Sequence, residues 1–204
     1  MSREQIQDGF IGPIFTLTDN WLPVIPLPNG PIKYLEIGAF FGANICSIMK
    51  TYAAASGSEV HCVDPWTDYD DYPEYKNDQH NIYAGFLANM SRLAPADNQK
   101  LHIHRDFSGN VLPKFNNEYF DIIYIDGNHE APYVLEDAVL AFKKLRPGGY
   151  MIFDDFTWDG VRCGVDAFMH AYKTHVEPKA VVPGLQFIMQ KKVAAPIPVE
   201  RVIV

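Results

Sequence analysis

No stretch of this 204-residue chain strings together the roughly 18 apolar residues that a membrane-spanning helix needs, although 48% of its residues are apolar. Positive charge is scarce: 17 lysines and arginines stand against 25 acids, a formal charge of −8. Nowhere do the basic residues form a run that would follow phosphates, so neither nucleic acid nor a membrane is expected as a partner. Cysteine is nearly missing. Cys46, Cys62 and Cys163 show no metal-ligand spacing, and their odd number argues against a disulfide framework. With the polar opening MSREQIQDGF, which is unlike a secretory signal, they suit a reducing compartment, and a cytoplasmic protein is expected. Repeats and low-complexity tracts are absent, and so is the G-x-G-x-x-G fingerprint of dinucleotide sites.

What is present is enough apolar material for one core. Residues 1–31 carry Pro13, Pro23, Pro26, Pro28 and Pro31 and read as an irregular N-terminal segment, which Phe10, Phe15 and Trp21 would anchor. From 32 to 192 the runs IKYLEI (32–37), EVHCVD (59–64), KLHIHR (100–105), YFDIIYID (119–126) and YMIFDD (150–155) predict buried parallel strands. Helical periodicity predicts helices over 42–55, 81–93, 109–115 and 160–173. Another opens near Pro132 and stops at Arg146-Pro147-Gly148-Gly149. The stretch 176–191 reads as a β-hairpin turning at Pro183-Gly184, and 193–204 as a loose tail. The implied fold is a single α/β domain, a doubly wound, Rossmann-like sheet of seven strands, mostly parallel, with the antiparallel hairpin at its C-terminal end. Ligands bind such sheets beyond the carboxyl ends of the strands.

The first such end is LEIGAFFGANI. Gly38 permits a tight turn, and Gly42 lets backbone approach a ligand at a helix start. Glu36 would repel a pyrophosphate and attract an amine. A nucleoside cofactor with an ammonium, a carboxylate and no phosphate fits best, which describes S-adenosylmethionine. Asp64 ends the second strand, where an acid can accept both hydroxyls of a ribose. Asp106 and Ser108, after the third, are placed to meet an adenine edge.

The fourth and fifth strands end in Asp126 and in Asp154-Asp155. One helix joins them, so they are neighbours in a right-handed unit, and strands about 4.8 Å apart bring such acids together. Three converging carboxylates call for a cation between them, and a hard divalent ion such as magnesium is the simplest.

Over residues 32–158 the chain resembles class I S-adenosylmethionine-dependent methyltransferases. EIGAFFG is similar to the glycine loop of catechol O-methyltransferases, and the paired Asp154-Asp155 resembles macrocin-type sugar O-methyltransferases. The resemblance implies a methyltransferase fold in which Glu36, Gly38, Phe40 and Asn44 surround the methionine part of the cofactor. Asp64 would take the ribose and Ser108 the adenine. Asp126, Asp154 and Asp155 would hold Mg2+ or another divalent cation. His129 stands where catechol enzymes carry a lysine base, and a histidine titrates near neutrality. Asp126 is the alternative base, and His129 is alternatively a metal ligand or a helix cap. The expected reaction is methylation of a hydroxyl on a small chelating substrate, sugar-like or catechol-like.

Residues 64–78 interleave Trp66, Tyr69, Tyr72 and Tyr75 with acids, as either a lid or a solvated loop, and Trp158 borders the aspartates. His61, His102 and His104 read as core or edge residues, and His170 and His175 as bland. Two rival readings stand beside methyl transfer. One is an oxidative enzyme like the cephalosporin hydroxylases, which share the same segments. The other is a non-catalytic cofactor-binding partner protein. A small hydroxylated molecule is the expected partner, and a homodimer is left open.

Overall fold

The computed structural model describes Ile6 and residues 8–15, 18–68, 75–93, 99–182 and 185–193. Tyr69, Tyr72, the turn at Pro183-Gly184 and residues 194–204 lie outside the described residues.

Short β-branched and aromatic runs form seven strands: β1 (Lys33–Ile37), β2 (Glu59–Val63), β3 (Lys100–His104), β4 (Phe120–Ile125), β5 (Leu145–Phe153), β6 (Val176–Val182) and β7 (Gln186–Lys191). They pair in the order β3-β2-β1-β4-β5-β7-β6. β1 lies parallel between β2 and β4, β4 lies parallel to β5, and β7 runs antiparallel to both β5 and β6. The expected α/β sheet with its antiparallel hairpin is therefore present. The chain order turns back between β1 and β4, and the carboxyl ends of these two strands flank the crevice where such sheets bind ligands.

The helices are α1 (Ala43–Lys50), α2 (Gln79–Leu93), the single turn α3 (Ser108–Val111), α4 (Ala131–Lys144) and α5 (Asp159–Tyr172). One face of the sheet packs Tyr34, Val60, Cys62 and Tyr124 with Ile45, Ile48 and Phe86 from α1 and α2. The other packs Leu35, Ile123, Met151 and Phe153 with Val134, Ala138 and Phe168 from α4 and α5. Both faces are covered, which is why the central strands are continuous apolar runs without alternation. Trp21, fully buried on the first face, pins the N-terminal segment by packing against Tyr52 and Tyr124.

Two boundaries differ from expectation. The helix expected to end near residue 55 stops at Lys50, because Thr51 leaves helical geometry and its N–H bonds Ile48 O. Arg146-Pro147-Gly148-Gly149 does not simply close α4. It lies inside β5, where the register shifts between the Phe120–Leu145 and Ile122–Tyr150 pairs, and Gly148 adopts a φ of 79°. Glycine and proline mark a bulge here as well as a helix end.

At the β2/β3 edge, His61 sits in a group with a character of its own. Its ring stacks on His102 and His104 and meets Phe115 and Phe120 edge-on. Burial, helped by the two neighbouring imidazoles, lowers its pKa to about 4, so His61 is neutral at physiological pH.

Candidate active site

A cavity of about 530 Å³ opens at the carboxyl ends of β1, β4 and β5. That is the size of small-molecule sites in general. Glu36, Gly38, Phe40, Gly42, Asn44, Asp64, Asp126, His129, Asp154 and Asp155 all line it. Asp106 and Ser108 are not among its lining. Asp106 Oδ1 instead accepts from Phe107 N–H and Asn110 Nδ2, holding the start of α3. Ser108 hydrogen-bonds Asp137.

The glycine loop is built by backbone constraints. Gly38 has a φ of 83°, and a Cβ there would lie 1.9 Å from Asp126 O. Only glycine lets β1 end so close to the turn carrying Asp126. Gly42, with a φ of 81°, precedes α1, and a Cβ there would press on Met90 and Phe86. Between them, Ala39 and Phe40 donate their N–H groups to Asp64 Oδ2 at 2.8 and 3.0 Å. Trp66 N–H reaches Asp64 Oδ1 at 2.8 Å. Asp64 thus organises the loop. Oδ2 takes two backbone donors and Oδ1 one, which leaves Asp64 room for one further donor.

Glu36 is buried, and its Oε2 accepts from Tyr34 at 2.6 Å and from Asn44 Nδ2 at 2.8 Å. Burial dominates and pushes its pKa up from 4.5 to about 8, against the lowering by those two hydrogen bonds. Asn44 Oδ1 is buried with no hydrogen-bond partner among the described residues. A cationic amine would satisfy that oxygen and favour ionised Glu36, so this end fits the amino-acid part of S-adenosylmethionine. Tyr34 was not read from the sequence. Its signal was there, since residues two apart on a strand share a face.

At the other end, His129 Nε2 lies 3.3 Å from Asp155 Oδ2 and 3.5 Å from Asp126 Oδ1. One ligand atom each from Asp126, His129 and Asp155 falls within 4.8 Å of the others. The group that converges is thus two aspartates and the histidine, with Asp154 outside it. Asp154 is buried and takes hydrogen bonds from Tyr124 and Gln186, yet its Oδ1 has no partner among the described residues. All three aspartates are pushed up, first by burial: Asp126 well above the usual range, Asp154 to about 6, and Asp155 upward against the pull of His129. A crowded set of acids with one orphaned oxygen fits a divalent cation. Asp155 itself holds a φ of 47°, a left-handed backbone that non-glycine residues rarely adopt and that is often found at functional sites.

Around this end stand aromatic side chains. Trp158 packs on His129 with ring centroids 4.8 Å apart, and Phe40 meets Phe15 and Tyr75 at 6.1 and 5.1 Å. Gln186, which touches Asp154, escaped sequence reasoning because it arrives from β7, some thirty residues on, through antiparallel pairing.

A family model described as a methyltransferase domain matches residues 35–156. An uncharacterized protein of Acanthamoeba polyphaga mimivirus is 24% identical over 127 residues, 61% of this chain and 52% of that protein. The chain thus spans about half the length of the curated relative it matches. Among solved structures, a Corynebacterium glutamicum protein shares the fold with a TM-score of 0.61 at 13% identity, over 95% of this chain and 88% of that one. The O-methyltransferase NovP aligns with a TM-score of 0.60 at 14% identity, over 81% and 74% of the two chains. The O-methyltransferase TomG from Streptomyces achromogenes, involved in tomaymycin synthesis and solved with SAM, gives 0.55 at 16% identity, over 79% and 73%.

Proposed function

The chain belongs to the methyltransferase-domain family, and from that premise we propose that it is an S-adenosylmethionine-dependent O-methyltransferase acting on a small hydroxylated molecule. One observation carries the reading. His129 Nε2 stands between Asp126 and Asp155 in the same cavity that holds the buried Glu36 and the orphaned Asn44 oxygen.

In this reading Glu36 and Asn44 receive the ammonium of the cofactor, the backbone of Gly38 and Phe40 borders its methionine part, and Asp64 Oδ1 takes one ribose hydroxyl. Bound there, S-adenosylmethionine supplies a methyl group on a positively charged sulfur and departs as a neutral thioether. His129 Nε2 removes the proton of the substrate hydroxyl as the oxygen takes the methyl. The imidazolium so formed is stabilised by the Asp155 carboxylate 3.3 Å away, with Asp126 Oδ1 at 3.5 Å beside it. Trp158 and Phe40 wall the reacting groups from water.

A divalent ion is the finer part of the proposal. Asp126 and Asp155 would hold it, with Asp154 or His129 completing the set, and it would lower the pKa of the hydroxyl and favour a substrate with two neighbouring oxygens. His129 cannot bind the ion and take the proton through the same nitrogen, so the two roles compete. One histidine with two carboxylates is the inverse of the two-histidine, one-carboxylate set of iron oxygenases, which favours methyl transfer over the oxidative alternative.

The test is calorimetric titration with S-adenosylmethionine, then methyl transfer to a panel of catechols and vicinal diols, with magnesium or with chelator. His129→Asn is expected to lower kcat by about a hundredfold or more while cofactor affinity holds. Wild-type protein that binds no S-adenosylmethionine would overturn the proposal. Activity undiminished by chelator would remove only the metal.

A further inference from the structure

The site above leaves unused the histidine group at the β2/β3 edge. KLHIHR puts His102 and His104 two apart on β3, hence on one face. The parallel register sets His61 beside His102 and Glu59 beside Lys100. One ligand atom each from Glu59, His61 and His102 lies within 4.8 Å of the others. None of the three lines the active-site cavity.

Two further observations make this more than proximity. His61 is 6% exposed, and its Nε2 has no hydrogen-bond partner among the described residues. That nitrogen faces Glu59 Oε2 at 3.9 Å, too far for a hydrogen bond. The second is support from outside the group. His61 Nδ1 lies 3.1 Å from His104 Nε2, and Tyr119 donates to Glu59 Oε2 at 2.6 Å. When Nδ1–H donates to His104, Nε2 keeps its lone pair on the side of Glu59, with the His102 ring stacked alongside at a centroid distance of 4.4 Å. Metal-bound histidines and carboxylates are held in this way by outer hydrogen bonds that set the tautomer and aim the donor.

We propose that Glu59, His61 and His102 form a second cation site, separate from the active site, for a divalent transition ion of the zinc type, and that it ties the edge strand β3 to β2. Two imidazole nitrogens and one carboxylate oxygen are a donor set that zinc accepts and magnesium does not favour. Metal bonds of about 2.0–2.1 Å require the His102 ring to turn out of its stack on His61 so that both rings present an in-plane nitrogen to one ion, and His102, exposed on the edge strand, is free to make that turn. Lys100 holds the other oxygen of Glu59 at 3.3 Å but is 65% exposed, and it yields to solvent as the ion enters.

The experiment is a Zn2+ titration of the full chain, freed of metal by chelator, against a chromophoric competitor. It is repeated with Mg2+ and followed at the histidine ring resonances. Wild-type protein should bind one more Zn2+ equivalent than His102→Ala. Asp155→Asn should keep the equivalent that His102→Ala loses. Tyr119→Phe should weaken that site by about tenfold or more. Zn2+, and not Mg2+, should shift the His61 and His102 rings. Equal stoichiometry in wild type and His102→Ala, or a Zn2+ response confined to His129, would overturn the proposal. Neither result would touch the methyltransferase reading.

Discussion

Single buried acids set how this protein responds to pH. Glu36 is raised from 4.5 to about 8, so near neutrality the free protein holds it protonated. The stability this represents is full below pH 4.5 and is lost as pH rises through about 8. A cationic cofactor reverses the preference, and binding at pH 7 should expel a proton. Calorimetry in two buffers of different ionisation enthalpy should show that release in wild type and none in Glu36→Gln. The variant should also bind the cofactor about tenfold or more weakly. Asp137 offers a cleaner case outside the cavity. Burial raises it from 3.8 to about 7, opposed by its hydrogen bond with Ser108. Its contribution is again full below the unfolded value and lost as pH climbs through 7. Asp137→Asn, which needs no ionisation, should therefore gain on wild type between pH 4 and 8, by up to a few kcal/mol. Urea denaturation across that range checks it, and a constant difference would refute the assignment.

Elements carry these residues to the cavity, and the glycine loop is where the sequence spoke most clearly. Glu36, Gly38, Gly42 and Asn44 were legible because a strand, a turn and a helix in succession put them at one edge, and Asp64 because the next strand pairs parallel beside the first. Contacts made by distant chain were not. Asp154 outside the converging group, Gln186 beside it and the bulge at 146–149 all depend on pairing across β4, β5 and β7. Asp106 and Ser108 sit at the right sequence distance, yet Asp106 bonds the start of α3 and Ser108 bonds Asp137 on α4. The turn also yields a prediction. Gly38→Ala would put a Cβ 1.9 Å from Asp126 O at a φ of 83°. It should cost about 3 kcal/mol or more through left-handed strain plus overlap. Cofactor binding should fall with it, because relief must move β1 or the Asp126 turn. A denaturation midpoint unchanged from wild type would show that the close approach is not maintained.

Across the whole molecule, one buried polar chain joins the N-terminal segment to Asp154 in the wall of the cavity. Trp21 Nε1 donates to Gln186 Oε1 at 2.8 Å, Gln186 Nε2 reaches Tyr124 at 3.4 Å, and both Gln186 and Tyr124 hydrogen-bond Asp154. Segments more than 160 positions apart thus share one network on β4, β5 and β7. Buried partners of this kind are costly to orphan, at about 1–3 kcal/mol each. Trp21→Phe keeps an aromatic ring against Tyr52 and Tyr124 but leaves Gln186 Oε1 without its donor, so it should cost about 2–4 kcal/mol. Gln186 is then free to turn away from Asp154, removing a hydrogen bond that lowers that acid, and the carboxyl should titrate above its present value of about 6. The carboxyl carbon resonance of Asp154 followed against pH measures this directly. A double-mutant cycle with Gln186→Ala separates the network from simple packing. Coupling of about 1 kcal/mol or more is expected for residues bonded in one chain. If Trp21→Phe costs the same whether or not Gln186 is present, the N-terminal segment is held by burial alone and has no path to the active site through this residue.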